Sequence, residues 1–336
     1  MNEFRMINAL AAIHKTTPFG ADAEVFGDLL LTMDSFSEKE DFFSVTPPER
    51  IGHNMAAAVL SDLLACGIRG EFLINCWNMD EKHTSGFYEK CAQGIEEVLQ
   101  HSGVRCIGGD LGTSPDWLWT AAAGGKLPPD TAPVRRIASQ KIPFDLYVSG
   151  PLGDANHSAF YKRPMPEIEL RSPVPAGALF ATDTSGGFVD ALENFRRVNP
   201  DLTLFLENIP ISPVGELPFP EEFLLIGGVG EYELLYALPA GMESSDILIG
   251  HGDFSSQGIH FPKGKVMTQP PPDYREIAPE RRAPSKSEAW SELSQKTPSP
   301  SRQSAEITPR LPEYPAGKIK ADSLLQNLAS SSSSSS

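Results

Sequence analysis

Ile51-Gly52-His53-Asn54-Met55-Ala56-Ala57-Ala58-Val59-Leu60-Ser61-Asp62-Leu63-Leu64-Ala65-Cys66-Gly67 is the stretch on which the fold turns. Pro47-Pro48 stands at its front and Gly67 just past its end, which predicts a helix over about 48–66. From Met55 to Leu64 the run is apolar except for Ser61 and Asp62. A carboxylate beside that much apolar surface is costly unless something cationic neutralises it. Three more aspartates end or interrupt apolar runs: Asp22 in Pro18-Phe19-Gly20-Ala21-Asp22-Ala23, Asp34 after Leu29-Leu30-Leu31-Thr32-Met33, and Asp110 after Cys106-Ile107-Gly108-Gly109. Four such carboxylates converging on one place would make a Mg²⁺ site, because hard oxygen donors suit a hard cation.

The chain has 336 residues, is 40% hydrophobic and carries a formal net charge of −16. That is enough apolar material for two domains with real cores. The acidic balance gives no general attraction to nucleic acid or to an anionic membrane, so neither is expected as a partner. A Mg–nucleotide remains admissible, since the metal brings its own positive charge. Cys66, Cys76, Cys91 and Cys106 form no CxxC pair and lie in or beside apolar runs, as reduced cysteines of a cytoplasmic protein do. No apolar run approaches the roughly 20 residues that span a bilayer. The N-terminus lacks the basic-then-apolar pattern of a signal peptide.

Composition divides the chain into three parts: 1–133, 134–264 and 265–336. The last is rich in Pro and Ser, holds Pro270-Pro271-Pro272 and ends in a serine run. It cannot bury enough surface to offset its ordering entropy and reads as a disordered tail, open to an unknown protein partner through Ala321 to Leu328. The folded part divides near Pro128-Pro129-Asp130-Thr131-Ala132-Pro133. Before that point the pattern predicts strands around 24–33, 71–77, 104–109 and 117–126, with a second helix over about 83–101. After it come strands at Phe144–Ser149, Ala178–Thr182, Leu202–Glu207 and Glu231–Ala237, a further one at Phe223–Ile226, and a helix over about 187–197. Alternating strands and helices in both halves indicate an α/β or α+β protein. His251-Gly252-Asp253 reads as a surface turn. Phe42-Phe43, Trp117 and Trp119 read as core or dimer contacts rather than a ligand cage. Gly108-Gly109 serves either a tight turn or close approach of backbone to a phosphate.

Several motifs in this order resemble a family. Ile51-Gly52-His53 leading to Ser61-Asp62 and Cys66-Gly67, then Gly108-Gly109-Asp110, Val148-Ser149-Gly150-Pro151-Leu152-Gly153-Asp154-Ala155, Asp183-Thr184-Ser185-Gly186-Gly187 and Gly230-Glu231-Tyr232-Glu233-Leu234 look like thiamine-monophosphate kinases. These belong to the superfamily of aminoimidazole ribonucleotide synthetase and selenophosphate synthetase. The resemblance covers roughly residues 17–260. It implies a two-domain aminoimidazole ribonucleotide synthetase-like fold, an N-terminal domain that pairs in a homodimer, and ATP with several Mg²⁺ ions in the cleft between domains. The absence of a GxxxxGK[ST] loop agrees, because metal ions on carboxylates would then hold the phosphates.

Matched residue by residue, the resemblance implies metal ligands at Asp22, Thr32, Asp34, Asp62, Asp110 and Asp183. It implies Asp62 and Asp110 as the catalytic residues, and Gly109, Asp110, Arg136 and Ser185 as contacts of ATP. Arg135 adjoins Arg136. The implied reaction is in-line phosphoryl transfer to a small phosphorylated acceptor, thiamine phosphate by default. The chain also departs from the pattern. A metal-binding acid is Gly186 here, one acid is lost around Glu231 and Glu233, and a substrate-loop histidine is Asp41, which would repel a phosphate. A catalytically impaired nucleotide-binding relative or a related ATP-dependent synthetase therefore stays open beside the kinase.

Overall fold

The structure, a computed structural model, describes residues 3–41, 43–215, 224–225 and 228–262. The tail from residue 265, Phe42, and both ends of the strand read at Phe223–Ile226 lie outside the described residues.

The chain opens with helix α1 (Glu3–His14), which the sequence pattern did not announce. The expected strand at 24–33 is a hairpin, β1 (Glu24–Phe26) and β2 (Leu29–Ser37), turned at Gly27 with φ +66°. Then follow α2 (Pro48–Ala65), β3 (Phe72–Met79), α3 (Ser85–Ser102), β4 (Arg105–Thr113) and β5 (Leu118–Lys126). These strands form a five-stranded sheet in the order β1-β2-β5-β3-β4. The second half runs β6 (Phe144–Val148), α4 (Asp154–Phe160), β7 (Phe180–Asp183), α5 (Phe188–Val198), β8 (Thr203–Leu206), β9 (Leu234–Pro239), β10 (Ile247–Asp253) and β11 (Gly258–His260). Its six strands are ordered β11-β8-β10-β6-β9-β7. The fold is mixed α/β, with one sheet in each half.

α2 explains why its sequence is apolar all round: it touches the first sheet, α3 and the second sheet. Every residue from Asn54 to Ala65 is buried. Its first half packs with Leu30, Leu73 and Trp119 of the first sheet. At its end, Leu64 and Ala65 join a cluster with Tyr147, Ala181, Leu234 and Tyr236 of the second. Two glycines set the α2–α3 spacing. A Cβ at Gly52 would lie 1.8 Å from the Cys91 carbonyl oxygen, and one at Gly94 would lie 1.8 Å from that of Glu49. The helices meet backbone against backbone there, which only glycine permits.

Two local expectations are corrected. His251-Gly252-Asp253 is not a turn but the end of β10, paired with β6 and β8. Gly252 sits there because a Cβ would meet the Phe144 ring at 2.4 Å and the Thr203 carbonyl oxygen at 2.3 Å. Glu231–Glu233 lie before β9 rather than within it, and Tyr232 takes φ +59°. A bulky aromatic rarely adopts that conformation.

Candidate active site

Three carboxylates reach one place from three parts of the chain: Asp22 from the loop before β1, Asp62 from α2 and Asp183 from the end of β7. Each offers an oxygen within 4.8 Å of the others. Asp62 and Asp183 are buried, at 9% and 3% exposure.

Each acid is held by a hydroxyl or a guanidinium. Thr32 of β2 donates to Asp62 Oδ2, and Ser61 donates to Asp183 Oδ2. Thr182 donates to Asp22 Oδ1 at 3.0 Å. Arg136 pairs with the same oxygen, and its Nε donates to Thr182 Oγ1 at 2.9 Å. Arg135 turns outward to Glu24, which settles which neighbour enters the cleft. Asp22 Oδ2 is buried with no hydrogen-bond partner among the described residues.

The electrostatics follow from that crowding. Burial raises the Asp22 carboxyl to about 6 against the pull of Arg136, and Asp183 adds to the rise. Burial holds Asp62 well above the usual carboxylate range, with Asp34, Asp183 and Asp22 pushing the same way. Three mutually repelling carboxylates, one of them with an orphaned oxygen, fit a divalent cation.

A cleft of about 510 Å³ opens over Asp22, Thr32, Asp34, Asp62, Arg136 and Ser185. Asp34 lies inside β2 rather than at its end, opposite Ala121. Thr32, Asp34 and Phe36 alternate onto the face that α2 covers. Asp110 is placed differently. It pairs with Cys76, which pairs with Thr120, which pairs with Ser35. That row takes the opposite face of the sheet, so the structure does not bring Asp110 to the three acids. Gly109 lies beside it on the edge strand, where a Cβ would stand 1.9 Å from the Asn75 carbonyl oxygen. The bulge against β3 between Leu73 and Asn75 thus accounts for this glycine without a ligand.

A second cavity, of about 180 Å³, shares Ser185 with the cleft. Glu231 and Glu233 on its wall are both committed. Glu231 accepts from the backbone N–H of Gly153 at 2.8 Å and of Ala155 at 3.0 Å, at the start of α4. Glu233 takes a two-point contact from Arg171, at 2.8 and 2.6 Å. At Gly186, a Cβ would stand 2.7 Å from Asp190 Oδ2, so a carboxylate from the first turn of α5 borders the place where the resemblance implied an acid. Ser61, Thr182, Tyr232, Arg171 and Asp190 were not anticipated. Ser61 and Thr182 had a usable signal, since each directly precedes a site aspartate.

Residues 20–126 match the family described as AIR synthase related protein, N-terminal domain. Thiamine-monophosphate kinase of Archaeoglobus fulgidus is 25% identical over 224 residues, 62% of this chain and 73% of that protein. The enzyme of Haemophilus influenzae is 27% identical over 238 residues, 63% of this chain and 70% of that protein. Among solved structures, AaThiL complexed with AMPPCP and TMP superposes with a TM-score of 0.65 at 19% identity, covering 80% of this chain and 95% of that one. With the fold and the order of motifs described above, these likenesses support a thiamine-monophosphate-kinase-like member of the aminoimidazole ribonucleotide synthetase superfamily, the family model covering residues 20–126.

Proposed function

We propose that this protein is an ATP- and Mg²⁺-dependent phosphotransferase acting on a small phosphorylated acceptor, with thiamine phosphate the acceptor that the relatives suggest. The observation that carries the reading is the convergence of Asp22, Asp62 and Asp183 with one carboxylate oxygen left unpartnered. The complex of AaThiL with AMPPCP and TMP supports nucleotide use in this fold.

Asp22, Asp62 and Asp183 would hold Mg²⁺, with Asp34 and Thr32 at the rim. When bound, the metal supplies positive charge for the β- and γ-phosphates. The chain's own groups do the positioning. Thr32 and Ser61 fix the carboxylates of Asp62 and Asp183. Arg136 anchors Asp22 and leaves guanidinium N–H groups beside the cleft. Ser185 stands between cleft and cavity, where donor and acceptor would meet. A phosphate acceptor is already nucleophilic, so positioning and electrostatics suffice without a strong general base.

In this reading residues 1–133 bind metal and nucleotide and dimerise, and 134–264 close the cleft. The outer face of the first sheet supports pairing: Met33 and Ile74 share a row there and are 68% and 42% exposed. Asp110 belongs to that pairing face. No helix among the described residues is long and apolar enough to cross a membrane. The four cysteines are free, which supports a cytoplasmic setting.

The test is ADP production from ATP and Mg²⁺ with and without thiamine monophosphate, beside Asp62→Asn. Acceptor-dependent ADP that vanishes in the variant supports the reading. Absence of turnover with every phosphorylated acceptor tried overturns it in favour of a nucleotide-binding relative without catalysis.

A further inference from the structure

We infer that Thr182 is a positioning residue for the cation site: its hydroxyl occupies the place of a second carboxylate oxygen on the Arg136 fork, limits the Arg136–Asp22 ion pair to one contact, and so keeps Asp22 Oδ2 free for a divalent cation. The inference rests on the phosphotransferase reading only in taking that cation for the metal of the reaction.

The backbone brings the three residues together. The Arg136 N–H donates to the Gly20 carbonyl at 3.1 Å, and the Ala181 N–H donates to the Arg135 carbonyl at 3.0 Å. Residues 135 and 136 are thereby tied to the loop that carries Asp22 on one side and to β7 on the other. Thr182 follows Ala181 on β7 and is 1% exposed, so water has no room to stand in for its hydroxyl.

The direction of the hydrogen bonds is fixed by chemistry. A guanidinium can only donate, and an ionised carboxylate can only accept. The Thr182 hydroxyl therefore accepts from Arg136 Nε at 2.9 Å and donates to Asp22 Oδ1 at 3.0 Å. Serine could do both; valine, of the same shape, could do neither.

A guanidinium beside a carboxylate ordinarily closes on both of its oxygens. Here Arg136 reaches Asp22 through Nη2 alone, and only at Oδ1. Its Nε is held by Thr182, and Nη1 points to the Ala21 carbonyl at 3.5 Å. Asp22 Oδ2 stays buried and without a partner among the described residues, although a charged donor group is pinned to the other oxygen of the same carboxylate. Buried acceptors in such company are normally taken. The hydroxyl of Thr182 on the Nε side of the fork explains why this one is not. Without it, Nε is released to swing onto Oδ2, and a cation would have to break a two-point ion pair to reach Asp22.

Calorimetric titration of Mn²⁺ into the full chain tests the inference, on the parent, Thr182→Val, Thr182→Ser, and Thr182→Val combined with Arg136→Lys. Thr182→Ala is carried beside Thr182→Val, so that a folding failure of one hydroxyl-free variant leaves the other to decide. The expected result is a loss of about tenfold or more in Mn²⁺ affinity without the hydroxyl, and recovery to within about threefold of the parent in Thr182→Ser. The Arg136→Lys combination is expected to recover as well, because an ammonium has no fork to close. A merely structural role for Thr182 would not be rescued by that second change, which restores no packing. Hydroxyl-free variants that bind Mn²⁺ as tightly as the parent, or a lysine combination that stays as weak as Thr182→Val, would overturn the inference and leave the phosphotransferase reading standing. A parent that binds no Mn²⁺ would overturn both. A parent that binds Mn²⁺ but makes no ADP with any phosphorylated acceptor would overturn the phosphotransferase reading alone.

Discussion

Ser61 on α2 donates a hydrogen bond to the carboxylate of Asp183 on β7, across 122 residues of sequence. The contact ties the helix of the first sheet to an edge strand of the second and fixes two of the three clustered acids. Removing the donor leaves a buried carboxylate oxygen with one partner fewer. Ser61→Ala is expected to lower unfolding free energy by about 1–3 kcal/mol. Urea titration without metal reads this directly, and a change below the error of the fit would show the contact to be idle.

Arg136, paired with Asp22, is the cation of the site. Taking away the guanidinium leaves Asp22 buried beside two other acids. Arg136→Gln is expected to cost about 3 kcal/mol in metal-free buffer. Added Mg²⁺ is expected to raise the melting temperature of the variant more than that of the parent. Equal shifts in both would mean that the metal does not touch Asp22.

The α2–α3 crossing depends on Gly94, where a Cβ would stand 1.8 Å from the Glu49 carbonyl oxygen. Gly94→Ala forces the helices apart over a packed core. A loss of about 2 kcal/mol or more is expected by denaturation, or failure to fold. A variant as stable as the parent would contradict the backbone contact.

Glu231 gives a pH signature. Burial raises its carboxyl from 4.5 to about 7, against the two backbone N–H groups that favour the charged form. The folded chain therefore holds this proton where the unfolded chain has released it. The resulting stability is full below about pH 4.5 and is lost as pH rises through about 7. Glu231→Gln keeps an oxygen for the α4 N–H groups and removes the titration. The difference in melting temperature, variant minus parent, should grow with pH across that window. A flat difference would place Glu231 in water.

The sequence exposes α2 and Asp62 for one reason: a carboxylate inside an apolar run is expensive, and the expense is visible in composition. Asp22 and Asp34 share that logic, and Asp183 came through its motif. Asp110 carries the same pattern yet faces the other side of the sheet, because strand alternation and the bulge at Gly109 decide its face and neither is written in a short run. Gly252 misled for a related reason. Glycine marks turns, but here it makes room for the Phe144 ring inside a strand. Tyr232 had no signal at all, since its position depends on a backbone conformation that its residue type disfavours.

The convergence of Asp22, Asp62 and Asp183 on a divalent cation is the central claim, and calorimetric titration of Mn²⁺ into the parent chain, Asp62→Asn and Asp183→Asn tests it most directly. The account predicts metal binding in the parent and its loss in both variants, with both still folded by circular dichroism. Undiminished binding in either variant would contradict it.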